Sequence, residues 1–197
     1  MLRLFHRERA GRPLRVRWAL EEAGADYDYV VMTQEEGEGP EHQARHPLGR
    51  VPVLETDDGL LFESAALCLQ IADLHPDAKL IPPPGTYERG LVYEWTVFAM
   101  SELEPAVIRT YTAVRDDDAE RTASAQERLT DRFVALERAL EGQNFITGER
   151  FTIADVVVGG VLVTARRTDL LPQSPNVNAY LERLDARPAK QRAYDTT

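Results

Sequence analysis

The sequence is poor in cysteine, in lysine and in long apolar runs, and each shortage excludes something. Cys68 is the only cysteine, so neither an intrachain disulfide nor a cysteine-built metal site can form. Such sparing use fits a reducing compartment, and no secretory signal is read at the N-terminus, so a cytoplasmic protein is expected. No stretch approaches the roughly 20 apolar residues that a membrane span requires. The runs at 156–163 and 60–69 are short or interrupted, so no membrane partner is expected. Basic charge is also in deficit: 23 Lys and Arg stand against 33 Asp and Glu, a net charge of −10. A field of that sign repels phosphate, and no nucleic-acid partner is expected. The one local exception is the N-terminus, where Arg3, Arg7, Arg9, Arg12, Arg15 and Arg17 face only Glu8. Gly11 and Pro13 break it as an amphipathic helix, which argues against a transit peptide.

What remains is a chain of 197 residues, 43% hydrophobic, long enough to bury a substantial core. Met1 to Phe5 reads as a strand. A helix follows from Pro13, with Val16, Trp18, Ala19, Leu20 and Ala23 at helical spacing and Gly24 as its stop. Tyr27 to Met32, aromatic and β-branched, reads as a second strand. The polar stretch from Gln34 to Pro47 offers at most a short helix at Glu41 to Arg45. Thr56-Asp57-Asp58-Gly59 between two apolar runs then signals a hairpin. From Ser64 a helix runs to about Leu74, with Leu67, Ile71 and Leu74 as the expected buried stripe. The order is that of an α/β unit ending in an antiparallel hairpin.

Four prolines between His75 and Gly85 read as a linker. Beyond it the periodicity is helical, over 87–114, 119–140, 153–167 and 176–186. Two domains are expected, α/β over residues 1–77 and all-α over residues 86–197. Thr152-Ile153-Ala154-Asp155 has the spacing of a capping box, with Phe151 and Val156 placed as a hydrophobic staple. Asp155 is therefore read as a structural cap.

Two places can carry chemistry. Pro52 follows Val51 where a strand should begin and cannot donate to the sheet ladder. A trans proline at a strand start is the plain reading; a cis bond would turn the Val51 main chain outward, toward an extended ligand. Glu63-Ser64 joins a strand end directly to a helix start, where amide donors, the helix dipole and a hydroxyl favour an anion. With Glu63 beside them, the ligand that fits carries an ammonium next to its carboxylate, as an α-amino acid headgroup does. The alternative is that Ser64 merely caps its helix.

Four blocks together carry a family resemblance: Leu14-Arg15-Val16-Arg17-Trp18-Ala19-Leu20-Glu21-Glu22-Ala23-Gly24, Arg50-Val51-Pro52-Val53-Leu54, Glu63-Ser64-Ala65-Ala66-Leu67 and Phe151-Thr152-Ile153-Ala154-Asp155. In this order and spacing the chain resembles the bacterial cytosolic glutathione transferases over nearly its whole length. The resemblance implies a thioredoxin-like N-terminal domain followed by an all-helical C-terminal domain, and a homodimer. It implies glutathione as co-substrate and no metal, with Val51 binding through its main chain, Pro52 cis, Glu63 and Ser64 at the γ-glutamyl end, and Arg50 near the glycyl end. A small hydrophobic electrophile is the implied second substrate.

Such enzymes commonly activate the thiol with Tyr, Ser or Cys near the first strand or first helix. Here residues 6–14 contain no Tyr, Ser, Thr or Cys. Arg12, beside the helix start, and His6, at the strand end, are the candidate catalytic residues. Cys68, placed inside an apolar helix, reads as buried, so any thiol chemistry needs a thiol brought by the ligand. His42 and His46 have ligand spacing but no third partner, and His75 reads as a helix cap. Trp95, Met100, Glu104 and Tyr111 are candidates for the second-substrate pocket, expected between the domains. The reading is an enzyme that adds the glutathione thiolate to an electrophile. A glutathione-dependent reductase or isomerase on the same scaffold, and a non-catalytic binding or dimerisation module, are the alternatives.

Overall fold

The computed structural model describes residues 1–7 and 11–195. Glu8, Arg9 and Ala10, part of the arginine-rich stretch, lie outside the described residues. The chain divides into two compact units, Met1–Ile81 joined by the segment from Pro188 onward, and Pro82–Arg187.

The first unit holds a four-stranded mixed sheet in the order β2-β1-β3-β4. Its elements are β1 (Leu2–Arg7), α1 (Gly11–Ala23), β2 (Tyr27–Met32), α2 (Gln34–Glu38), α3 (Pro40–Arg45), β3 (Val53–Thr56), β4 (Gly59–Phe62) and α4 (Ser64–Leu74). β1 and β2 run parallel, whereas β3 is antiparallel to both β1 and β4. The architecture is the thioredoxin-like one implied by the resemblance. The hairpin turns at Asp57-Asp58, pairing Thr56 with Gly59, while Thr56 Oγ1 donates to the Gly59 carbonyl.

Three local outcomes differ from the pattern reading. Two helices, not one, fill the polar stretch, because Thr33 starts α2 with a capping box closed by Glu36. In α4 the buried positions are Ser64, Leu67, Cys68, Ile71 and Ala72, and Leu74 is 47% exposed, one step off that stripe. A further helix, α10 (Pro188–Tyr194), packs on α1 and so belongs with the first unit rather than with the helical residues expected to extend to the C-terminus. Arg17 ties it down, its Nη1 donating to the carbonyls of Ala193 at 3.2 Å and Asp195 at 2.9 Å. Lys190 is buried with its ammonium 5.0 Å from the centre of the Trp18 ring.

The second unit contains α5 (Tyr87–Phe98), α6 (Glu104–Arg115), α7 (Ala119–Ala139), α8 (Ile153–Arg167) and α9 (Pro175–Asp185). A π-turn at Ala99–Leu103 interrupts the single helix expected over 87–114. The apolar run that is too short to span a membrane lies in α8, buried at every position from Ile153 to Val163. A helix apolar on all sides must be wrapped by its neighbours, and α5, α6 and α9 pack on α8. Asp155 is fully buried at its start and accepts from the amides of Ile146 (2.9 Å) and Thr152 (2.7 Å) and from the Tyr180 hydroxyl (2.8 Å). Burial pushes its carboxyl up to about 6 against these donors. The carboxylate thus holds the 146–152 loop, α8 and α9 together, as the capping motif predicts. Among the described residues no helix is long and apolar enough to cross a membrane.

Candidate functional site

The strand register gathers the candidate residues at one end of the sheet. Phe5 pairs with Val53, and Val53 pairs with Phe62. Val51-Pro52, just before Val53, and Glu63-Ser64, just after Phe62, therefore emerge beside the C-terminal end of β1, where His6 and Arg7 lie. The end of β1 meets residues 44 and more positions later in the chain, because β3 runs antiparallel to both β1 and β4. α1 and α4 both start at this end and pack against each other.

The Val51-Pro52 peptide bond is cis. The Val51 side chain packs against the cluster of Phe5, Met32 and Val53. Among the described residues, none hydrogen-bonds to the Val51 main chain, which leaves an amide and a carbonyl for an extended ligand. The loop before it is held from below. Arg7 Nη2 donates to the Gly49 carbonyl at 2.7 Å. His42, fully buried, lies with Nε2 3.0 Å from the Arg50 carbonyl. A carbonyl only accepts, so Nε2 carries the proton of the neutral ring. Desolvation lowers the His42 pKa, and the nearby Arg7 and Arg45 cations act in the same direction. Gly49, at φ +57°, supplies the left-handed turn, where a Cβ would stand 2.5 Å from the Gln43 amide. Arg50 itself is exposed.

Glu63 is the N-cap residue of α4 and has φ 71° and ψ 106°. A non-glycine side chain there carries strain of about 1–3 kcal/mol, the kind of local cost that concentrates at binding sites. Its side chain is exposed and makes no cap hydrogen bond. Ser64 is the first helical residue, so it does not cap the helix in the way the plain reading supposes. It is 1% exposed, and its Oγ accepts from Arg15 Nη1 at 3.0 Å.

Arg15 is the residue the pattern reading missed. It is buried on the face of α1 that also carries Trp18 and Ala19, three and four positions on. The signal was available: a helix whose every turn is apolar has one arginine in its buried stripe, opposite Ser64 on α4. Cys68 faces the same contact, with its Sγ 3.8 Å from the Arg15 carbonyl. Burial pushes the Cys68 thiol up to about 12, which makes it inert at neutral pH.

Of the two thiol-activating candidates, Arg12 is exposed in the first turn of α1. His6 is 5% exposed, its ring stacked on Tyr29 with centroids 5.1 Å apart. His46 is also buried; its Nδ1 accepts from the Leu48 amide at 3.0 Å and its ring packs on Phe62. His42 and His46 thus serve the loop, one at Arg50 and the other at Leu48. His75 is the C-cap of α4, its amide donating to the Ile71 carbonyl. In the second unit Trp95 meets Phe98 edge to face, Glu104 is buried and Tyr111 is exposed.

An α/β unit with an unpaired main chain beside a cis proline, joined to a helical unit, defines the class: a thioredoxin-like domain followed by a helical one. Comparison with known proteins names the family. The descriptions "Glutathione S-transferase, N-terminal domain" and "Glutathione S-transferase, C-terminal domain" match residues 1–73 and 112–183. The chain is 31% identical over 179 residues to glutathione S-transferase GstA of Escherichia coli O157:H7, covering 88% of each sequence. A solved glutathione transferase from Methylococcus capsulatus is 30% identical with a TM-score of 0.85, over 98% of this chain and 97% of that one. A sphingomonad glutathione S-transferase, solved in complex with glutathione, is 28% identical with a TM-score of 0.85, over 97% and 96%. The chain belongs to the glutathione S-transferase family.

Proposed function

We propose that this protein binds glutathione at the sheet end formed by Arg50, Val51, Pro52, Glu63 and Ser64 and adds its thiolate to a small hydrophobic electrophile. The observation that carries the reading is the open Val51 main chain beside a Ser64 hydroxyl backed by a buried arginine. Together they suit a peptide-like ligand ending in a carboxylate. The exposed Glu63 side chain suits the ammonium next to that carboxylate. The sphingomonad relative, with glutathione in its complex, supports the same ligand.

In the reaction, glutathione gives up its thiol proton to solvent and the thiolate attacks the electrophilic carbon. A carbon–sulfur bond forms, and the displaced group leaves with the electron pair of the broken bond. Arg12, exposed in the first turn of α1, is suited to stabilise the thiolate by charge, with His6 as the second candidate. Cys68 takes no part, since its thiol is buried and neutral. We place the protein in the cytoplasm as a homodimer, with detoxification as its role. The absence of Tyr, Ser, Thr and Cys from residues 6–14 favours a second reading, a binding module without turnover.

Calorimetric titration with glutathione tests the proposal. Binding that weakens about tenfold in Ser64→Ala supports it, while no binding at millimolar ligand refutes it. Binding without turnover on a panel of electrophiles and disulfides selects the module. Arg12→Ala is expected to raise the pKa of the bound thiol, and an unchanged value removes Arg12 from the role.

A further inference from the structure

We propose that Arg15 is a positioning residue that turns the Ser64 hydroxyl into an outward donor and thereby selects a carboxylate, not a carboxamide, at the α4 end of the site. The inference rests on reading Glu63-Ser64 as the place of the γ-glutamyl headgroup of glutathione. Arg15 and Ser64 are each 1% exposed, and Nη1 of the one lies 3.0 Å from Oγ of the other.

The consequence follows from hydrogen-bond capacity. A guanidinium has five N–H donors and no acceptor; a hydroxyl has one hydrogen and two lone pairs. Nη1–H therefore fills a lone pair of Oγ, and the hydroxyl hydrogen cannot be spent on Arg15. It is left for another acceptor, in the same place as the unmet amides of the first turn of α4. A carboxylate brings two acceptor oxygens and a negative charge to this group of donors. A carboxamide brings one oxygen and turns N–H groups toward donors. The cation behind Oγ also makes its O–H a stronger donor than an isolated serine supplies.

The position of Arg15 is fixed from two sides of the same residue. Its side chain holds Ser64 at the start of α4, and its main-chain carbonyl accepts the Cys68 thiol one turn later. α1 and α4 are thus held in one register at the site, independently of the loop that carries Val51.

The test is a double-mutant cycle read by glutathione affinity, using wild type, Ser64→Ala, Arg15→Met and the double variant, with Arg15→Lys as the charge-keeping control. Ser64→Ala and Arg15→Met are each expected to lose about tenfold. Once Ser64 is alanine, Arg15→Met is expected to cost little more, and Arg15→Lys to recover part of the loss. Additive losses, or a lysine no better than methionine, overturn the proposal. A second measurement needs only the wild-type protein. A glutathione analogue whose γ-glutamyl α-carboxylate is replaced by carboxamide is expected to bind at least about tenfold more weakly. Equal binding overturns the proposal while leaving the glutathione site standing. No binding of glutathione itself removes the underlying reading, and the proposal with it.

Discussion

Replacing Asp155 by alanine should remove much of this protein's margin of stability without weakening the glutathione binding proposed for the first unit. The carboxylate takes the amides of Ile146 and Thr152 and the Tyr180 hydroxyl, all in the interior of the second unit. Alanine leaves these three donors buried without an acceptor, at about 1–3 kcal/mol each. The Thr152 hydroxyl, 3.2 Å from Oδ2, is not counted, since Thr147 Oγ1 stands 3.3 Å away as an alternative partner. Against this, the variant no longer desolvates a carboxylate that burial has pushed up to about 6. The net loss is expected near the low end of the sum, about 3 kcal/mol, a large share of a typical stability of about 5–15 kcal/mol. Asp155→Asn keeps one acceptor oxygen and should lose about half as much. Urea unfolding at neutral pH, followed by far-ultraviolet circular dichroism, measures both, and glutathione titration of the folded protein should give an affinity within about twofold of wild type. A loss below about 1 kcal/mol in Asp155→Ala refutes the structural role, and a binding defect in the folded variant refutes its separation from the site.

Other consequences are as open to measurement. His42 has a depressed pKa in the folded protein, so its neutral form is the one folding favours. Its contribution is complete above the unfolded value near 6.5 and declines as pH falls below it. A His42→Gln variant should therefore show a flatter stability profile below pH 6.5 than wild type, and an identical profile refutes the assignment. Glu63→Gly should remove the strain of a positive φ, offsetting the entropy cost of glycine, so stability stays within about 1 kcal/mol while glutathione affinity falls. A large loss of stability on denaturation counts against that view. Cys68, with its thiol near 12 and no exposed surface, should resist alkylation in the native protein and react once unfolded, as followed by mass spectrometry. Native-state labelling at the unfolded rate would show that the α1–α4 contact opens.

How far the sequence carried the reading depends on the range of the interaction. The hairpin, α1, α4 and the Asp155 capping motif were legible because each is fixed by residues a few positions apart. Leu74 was misassigned to the buried stripe because burial in the last turn depends on what packs there. α10 was missed because seven residues beginning at Pro188 hold too few turns to show a period. Its place is set by Arg17, Trp18 and Glu21 on α1, more than 160 positions earlier.

The site divides the same way. Glu63-Ser64 was recognisable as a candidate anion site, because a strand that ends where a helix begins is a local event, and Val51-Pro52 as a proline at a strand start; the family resemblance added the cis bond. The sequence by itself determined those parts, together with the lack of any disulfide. That Ser64 is backed by Arg15 rather than capping its helix was decided only by the tertiary structure. The two residues stand 49 positions apart, and only the packing of α1 on α4 buries a cation beneath a hydroxyl. Tertiary structure also settled the single cysteine: burial under the Arg15 main chain, not scarcity, is what takes its thiol out of the chemistry.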